Sequence, residues 1–226
     1  MASSQHTRDR ILDAAEGLFF RDGITTTGVD RVAAQAGVAI VTLYKHFGSK
    51  DNLLREVLSR RLGAWTRHWD AAIAGAGSPP ERLLAVFDAI ETFRASAGPT
   101  QWCCFLATAS ERPVPEDGQG DPVFELIHQD TRLVTERLAD LAREARCQDP
   151  QAVASGLLLL YNGVLSSLLR GAPADPVNRA RTMARSIVES RADAGAPARS
   201  RGGTTGGGER LVPPTSAHPE SSDVER

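Results

Sequence analysis

Lysine is nearly absent from this chain. Lys45 and Lys50 are the only two in 226 residues, and every other basic side chain is arginine or histidine. Cysteine is also scarce. Cys103, Cys104 and Cys147 form no CxxC and no metal-ligand spacing, which excludes a zinc module or a disulfide framework and leaves small buried apolar residues as their expected role. A thiol sensor built on Cys103 and Cys104 would have no basic sequence neighbour to activate it. No run of about 18 apolar residues is read, so no membrane span and no membrane partner are expected. MASSQHTRDR carries no apolar signal core, so a cytoplasmic location is expected. No phosphate loop, nucleophile elbow or metal motif occurs, which argues against an enzyme and implies no cofactor and no metal. Net charge is −2, and residues 1–62 hold nine Lys/Arg against seven Asp/Glu, so bulk charge does not draw the chain to nucleic acid.

What is present is helical periodicity from end to end, with 41% hydrophobic residues, enough for one or two domains with real cores. No period-two strand pattern persists. Ile11, Leu12, Ala15, Leu18 and Phe19 predict an amphipathic helix over 8–21, stopped at Asp22-Gly23. Thr27 with Asp30 three residues later reads as a capping box opening a second helix, whose apolar stripe is Val29, Val32, Ala33 and Ala36. Gly37 supplies a turn. A third helix then runs from about Ala39 to Phe47, with Val38, Ile40, Leu43 and Phe47 turned inward and Val41, Thr42, Tyr44, Lys45 and His46 turned outward. This is the plan of a helix-turn-helix, whose second helix lies in a DNA major groove. Thr and Tyr hydroxyls can donate to phosphates, Lys45 and Lys50 can neutralise them, and Val41 or a Thr methyl can touch a thymine methyl. Thr27 and Gly28, at the start of the second helix, complete the expected DNA-contacting set.

The stretch ILDAAEGLFFRDGITTTGVDRVAAQAGVAIVTLYKHFGSKDNLL resembles the DNA-binding domain of the TetR family of bacterial transcriptional regulators. AAxxLF, T-x-V-D-x-V-A, AGV and T-L-Y-x-H-F-x-S-K carry the likeness, between Arg8 and about Leu58. The resemblance implies an all-α homodimer that binds double-stranded operator DNA, with a small-molecule effector held in its C-terminal domain. It implies a repressor released by that effector; a constitutive or architectural DNA binder without ligand control is the alternative. One departure stands out. Where most members place Ser or Thr after A-G-V, this chain has Ala39, and a missing N-cap costs about 1 kcal/mol of helix stability.

The expected architecture is a three-helix DNA-binding domain over 1–50 and a helical ligand-binding and dimerisation domain over 51–191, about nine helices in all. Ser49 caps a long fourth helix bearing Leu53, Leu54, Val57, Leu58, Leu62, Trp65 and Trp69. Ser78-Pro79-Pro80-Glu81 opens the next, and Asp121-Pro122, Asp149-Pro150 and Asp175-Pro176 repeat one signal, Asp at the N-cap and Pro in the first turn. A short helix is read over Trp102–Ser110. From Ala192 the sequence turns Gly-, Pro- and Ser-rich, and 192–226 is expected to be a disordered tail.

Residues 150–169 are apolar nearly all round, so that helix must be covered on several sides. Leu157, Leu160, Val164 and Leu168, with Met183 and Ile187 of the last helix, are the expected dimer interface. The expected effector pocket draws on Trp65, Trp69, Phe87, Trp102, Phe105, His128, Tyr161 and Asn162, with Phe93 beside them, because ligand sites favour aromatic walls with a few polar groups. His128 and Asp130 lack metal-site spacing and are expected to face solvent or one core partner.

Overall fold

A computed structural model describes residues 2–97, 103–112 and 120–191. Among these there are nine α-helices and no strand. α1 (Ala2–Asp22), α2 (Val29–Ala36) and α3 (Ile40–Phe47) form the N-terminal unit. α4 (Lys50–Gly75), α5 (Pro79–Ala97), α6 (Cys104–Glu111), α7 (Pro122–Glu144), α8 (Pro150–Arg170) and α9 (Pro176–Arg191) follow. The expectations for Trp102 and for the tail 192–226 lie outside the described residues.

The helices begin and end for local reasons. The Ser49 hydroxyl accepts from the Asn52 N–H at 3.0 Å, Asp121 from Val123 at 2.8 Å, and Asp149 from Ala152 at 3.1 Å. Each removes an orphan donor from a first turn. Asp175 departs from this pattern and accepts instead from the Asn178 side chain. The capping box at Thr27 does not form. Gly28 is the N-cap of α2, with no side-chain cap bond. Thr27 is fully buried and its hydroxyl donates backwards to the Gly23 carbonyl at 2.6 Å. It closes the turn after α1 rather than opening α2.

Gly37 occupies the left-handed region at φ 65, where a side chain would be strained. A Cβ there would lie 2.7 Å from Arg10 Nη2. Arg10 reaches from α1 and donates to the carbonyls of Ala36 and Gly37, the latter at 3.2 Å. The turn between α2 and α3 is thus fixed by backbone geometry and by an arginine clamp.

The core is continuous from end to end. Ile11, Leu18 and Phe19 of α1, Val32 and Ala33 of α2, and Leu43 of α3 pack with Leu53, Leu54 and Leu58 of α4. The same apolar body continues through α5, α7, α8 and α9. α4 packs against α1, α3, α5, α6 and α7, so this one helix joins the N-terminal unit to the bundle. Across the other end, Arg181 of α9 pairs with Glu81 at 2.7 Å and Asp88 at 3.0 Å on α5.

The expectation that no segment could span a membrane needs correction. α8 is long and apolar enough by length and composition, since its few polar side chains are scattered among leucines. 28% of that stretch is buried within one chain, and Leu159 and Leu169 are its exposed large apolar side chains.

Candidate DNA-binding face and ligand cavity

α3 sorts its residues sharply. Leu43 and Phe47 are buried, and Arg8 of α1 lies over the Phe47 ring, 5.3 Å from its centroid. Val41 is 75% exposed and Tyr44 44% exposed. Lys45 is exposed, and Thr42 and His46 are half-buried. The outward set read from the sequence therefore shares one surface of α3. Ile40 was expected inward. It is 44% exposed instead, because it lies in the first turn, beyond the reach of the α1–α2 core. The exposed tip of α3 is thus Ile40, Val41 and Tyr44, an apolar end followed by Lys45.

Thr27 and Gly28 stand differently from the sequence reading. The buried Thr27 hydroxyl is unavailable to a phosphate. Gly28 is half-buried at the α2 N-terminus, and a Cβ there would collide with the Asp30 carboxylate. Lys50 is half-buried in the first turn of α4. Its ammonium donates to the Thr25 carbonyl at 3.4 Å and lies 5.9 Å from the Phe19 ring centroid, so it also braces the α1–α2 turn.

The second feature is a cavity of about 200 Å3 enclosed by α4, α5, α6, α7 and α8. Its aromatic wall is a cluster: the Trp65 ring stands 5.7 Å from Phe93 and 5.8 Å from Tyr161. Phe105, Ile90, Leu165, Leu168 and Leu169 complete the apolar lining. Arg61, Arg94, Cys103, Cys104 and Asp130 supply polar groups that sequence reasoning did not assign to it.

Four of the expected pocket residues line this cavity: Trp65, Phe93, Phe105 and Tyr161. Trp69 and Phe87 are fully buried core, one turn or one helix removed from the cavity wall. The Trp69 ring lies under the Arg137 guanidinium, 4.6 Å away. His128 is exposed and stacks edge-on against Phe124 on the outer face of α7. Asn162 is exposed on α8. Helical phase decides these cases, because a helix carries its polar residues away from the face that its apolar stripe buries.

The cavity's electrostatics are uneven. Arg61 is tied to Glu16 of α1 at 3.1 Å and stacks over Phe93, with 4.5 Å from guanidinium carbon to ring centroid. Burial pushes the Cys103 thiol up to about 11 and the Cys104 thiol higher still, so neither is a thiolate at neutral pH. Burial likewise raises the Tyr161 phenol well above its usual value. The Asp130 carboxyl rises to about 7 through burial alone.

Next to this cavity, α6 ends on the N-terminal unit. The Glu111 carboxylate accepts from the Thr25 N–H at 2.9 Å. Arg112 bridges Asp51 of α4, at 3.1 Å, and Asp121, the N-cap of α7, at 2.6 Å.

On the far side, Leu159 is 73% and Met183 57% exposed. A groove between α8 and α9 runs past Leu159, Leu160, Gly163 and Met183. Of the expected interface residues, Leu157 and Val164 are buried in the single chain, because they face α7 and α9 across the bundle. Leu160, Leu168 and Ile187 are half-buried, and Leu168 reaches the cavity. Met183 alone of that set stands open, joined by Leu159.

Comparison with known proteins agrees with this geometry. Residues 11–57 match the model of the bacterial regulatory proteins of the tetR family. The helix-turn-helix-type transcriptional regulator Rv1255c of Mycobacterium tuberculosis is 38% identical over 76 residues, 34% of this chain and 38% of that protein. The repressor KstR2 of Mycolicibacterium smegmatis is 35% identical over 88 residues, 37% of this chain and 43% of that protein. The chain thus spans less than half the length of the curated relatives it matches. The crystal structure of SCO4454, a TetR-family transcriptional regulator from Streptomyces coelicolor, superposes with a TM-score of 0.74 at 22% identity, covering 84% of this chain and 97% of that one. The fold and the helix-turn-helix define a bacterial regulatory protein. Residues 11–57 carry the TetR-family DNA-binding segment, and the chain shares the fold of a TetR-family regulator.

Proposed function

We propose that the chain is a sequence-specific DNA-binding transcriptional regulator, a repressor that a small molecule releases from its operator. The observation that carries this reading is α3: an exposed Val41, Tyr44 and Lys45 mounted on a buried Leu43 and Phe47, behind a turn fixed by Gly37 and Arg10. Such a helix is rigid from within and free to enter a major groove. Residues 1–50 read DNA and residues 51–191 hold the effector in the α4–α8 cavity. The exposed apolar strip of Leu159 and Met183 is covered by a second copy of the chain, giving a cytoplasmic homodimer that presents two recognition helices. KstR2, which this chain resembles over its N-terminal part, is a repressor by name.

Selection of bound fragments from random DNA tests the reading. The expected product is a palindrome whose half-sites lie roughly 34 Å apart. Recovery of fragments with no common sequence would overturn sequence-specific regulation.

A further inference from the structure

We infer that the cavity takes an amphiphilic organic cation, its aromatic body against Trp65, Phe93 and Tyr161 and its positive charge on Asp130. This rests on the ligand-responsive reading and names the chemistry of that site. The inference begins with position. On α7 the inward stripe is Val123, Ile127, Asp130, Val134, Leu138 and Leu141, at the 3–4 spacing of a buried helix face. Asp130 occupies a core position in that stripe. An acidic residue there opposes burial unless something meets its charge.

Among the described residues Asp130 makes no ion pair and no hydrogen bond. The two cations on the cavity wall do not serve it. Arg61 is engaged by Glu16 and by the Phe93 face, and Arg94 is exposed to solvent. The carboxyl rises through burial with no lowering contribution from either arginine. The remaining polar groups facing it, the Cys103 and Cys104 thiols and the Tyr161 phenol, are held neutral by burial. Among the described residues Asp130 is therefore the cavity's only anion, and none of them serves it as a counter-ion. The walls fit the same ligand, because aromatic faces attract organic cations through the ring quadrupole.

The test uses one tricyclic body with three charges: 9-aminoacridine as the cation, acridine as the neutral parent and acridine-9-carboxylate as the anion. Binding to the full chain, without DNA, is followed at pH 8 by quenching of tryptophan fluorescence and by calorimetry. The cation should bind about tenfold or more tighter than acridine, the effect of one charge pair on a carboxyl of this kind. D130N, nearly isosteric, should bring that ratio close to one while acridine itself still binds. Equal affinities for the three probes, an advantage of the carboxylate, or a cation preference that survives D130N would overturn the charge assignment and leave the pocket reading standing. If none of the three binds, the charge assignment and the ligand pocket fail together.

Discussion

Asp130 also makes a prediction about folding that needs no ligand. Its carboxyl rises from an ordinary 3.8 to about 7 in the folded chain. At about 1.4 kcal/mol per unit, this sets an upper bound of about 4 kcal/mol on the cost of keeping the charge in place. The side chain is half-buried and borders a cavity, so water lowers that bound, and a cost of about 2–4 kcal/mol is expected. The sign follows from linkage. A carboxyl whose folded value is raised binds its proton more tightly in the native state. Its contribution to stability is fully present below the unfolded value near 3.8 and is lost as pH rises through about 7.

D130N removes the titration while keeping the shape. Urea unfolding of both proteins at pH 4 and pH 8 measures the difference. At pH 4 the two should agree within about 1 kcal/mol, and at pH 8 D130N should be the more stable by about 2–4 kcal/mol. Cys103, Cys104 and Tyr161 do not confuse the reading, because burial keeps them protonated across this range. A variant less stable than the parent at pH 8 would mean that a cation inside the protein already pairs with Asp130. A difference that does not change with pH would refute the burial argument.

Tyr44→Ala should weaken operator binding by about tenfold or more, about 1.4 kcal/mol, while the melting temperature stays within a few degrees, because the ring stands outside the core; a collapsed melting temperature would show the ring to be structural. Lys45→Ala should weaken binding similarly on all sequences and lower the slope of log K against log salt by about 0.9, one phosphate contact, as read by fluorescence anisotropy across a salt series. Leu159→Asp and Met183→Asp should convert the dimer to monomers in analytical ultracentrifugation with the helical circular dichroism retained. Leu157→Ala should instead cost about 2–5 kcal/mol of folding stability, since that side chain is fully buried in one chain.

The legible part of this molecule was the part where one residue's role is set by its immediate neighbours. Gly37, Gly23, Ser49, Asp121 and Asp149 announce helix ends through backbone geometry and capping, and the structure places an end at each. The outward face of α3 followed from period alone. Thr27 was misread because a hydroxyl can satisfy either the turn behind it or the helix ahead, and only the packed structure decides. The pocket was half legible. Aromatic residues identify the central helices, yet Trp65 and Trp69, four residues apart, divide between cavity and core by the tilt of α4. Asp130 was expected to face solvent or one core partner; its place on the cavity wall without a partner is a property of five helices together. Leu157 and Leu159 show the same limit: α8 is apolar all round, so its pattern carries no phase, and its exposed side appears only when α7 and α9 are in place.

On the proposed ligand-responsive reading, the arrangement of contacts offers a route from the cavity to α3 without a hinge. Two of the cavity's walls are also the supports of the N-terminal unit. Arg61 stacks over Phe93 at the cavity and pairs with Glu16 of α1. α6, eight residues long, begins at the cavity with Cys104 and Phe105 and ends where Glu111 holds the α1–α2 turn and Arg112 holds Asp51 and Asp121. An α-helix is stiff over that length, about 12 Å. A ligand that displaces the first turn of α6 therefore displaces its last turn, and with it the α1–α2 turn that leads into α2, the helix against which α3 packs. Rigidity alone confers no control. The ligand must bind the displaced arrangement more tightly than the one that fits DNA. Operator DNA must then weaken the ligand by the same factor by which the ligand weakens DNA. The Glu111 and Arg112 contacts are few and lie near the surface, so the two arrangements can differ by the small free energy that one ligand supplies.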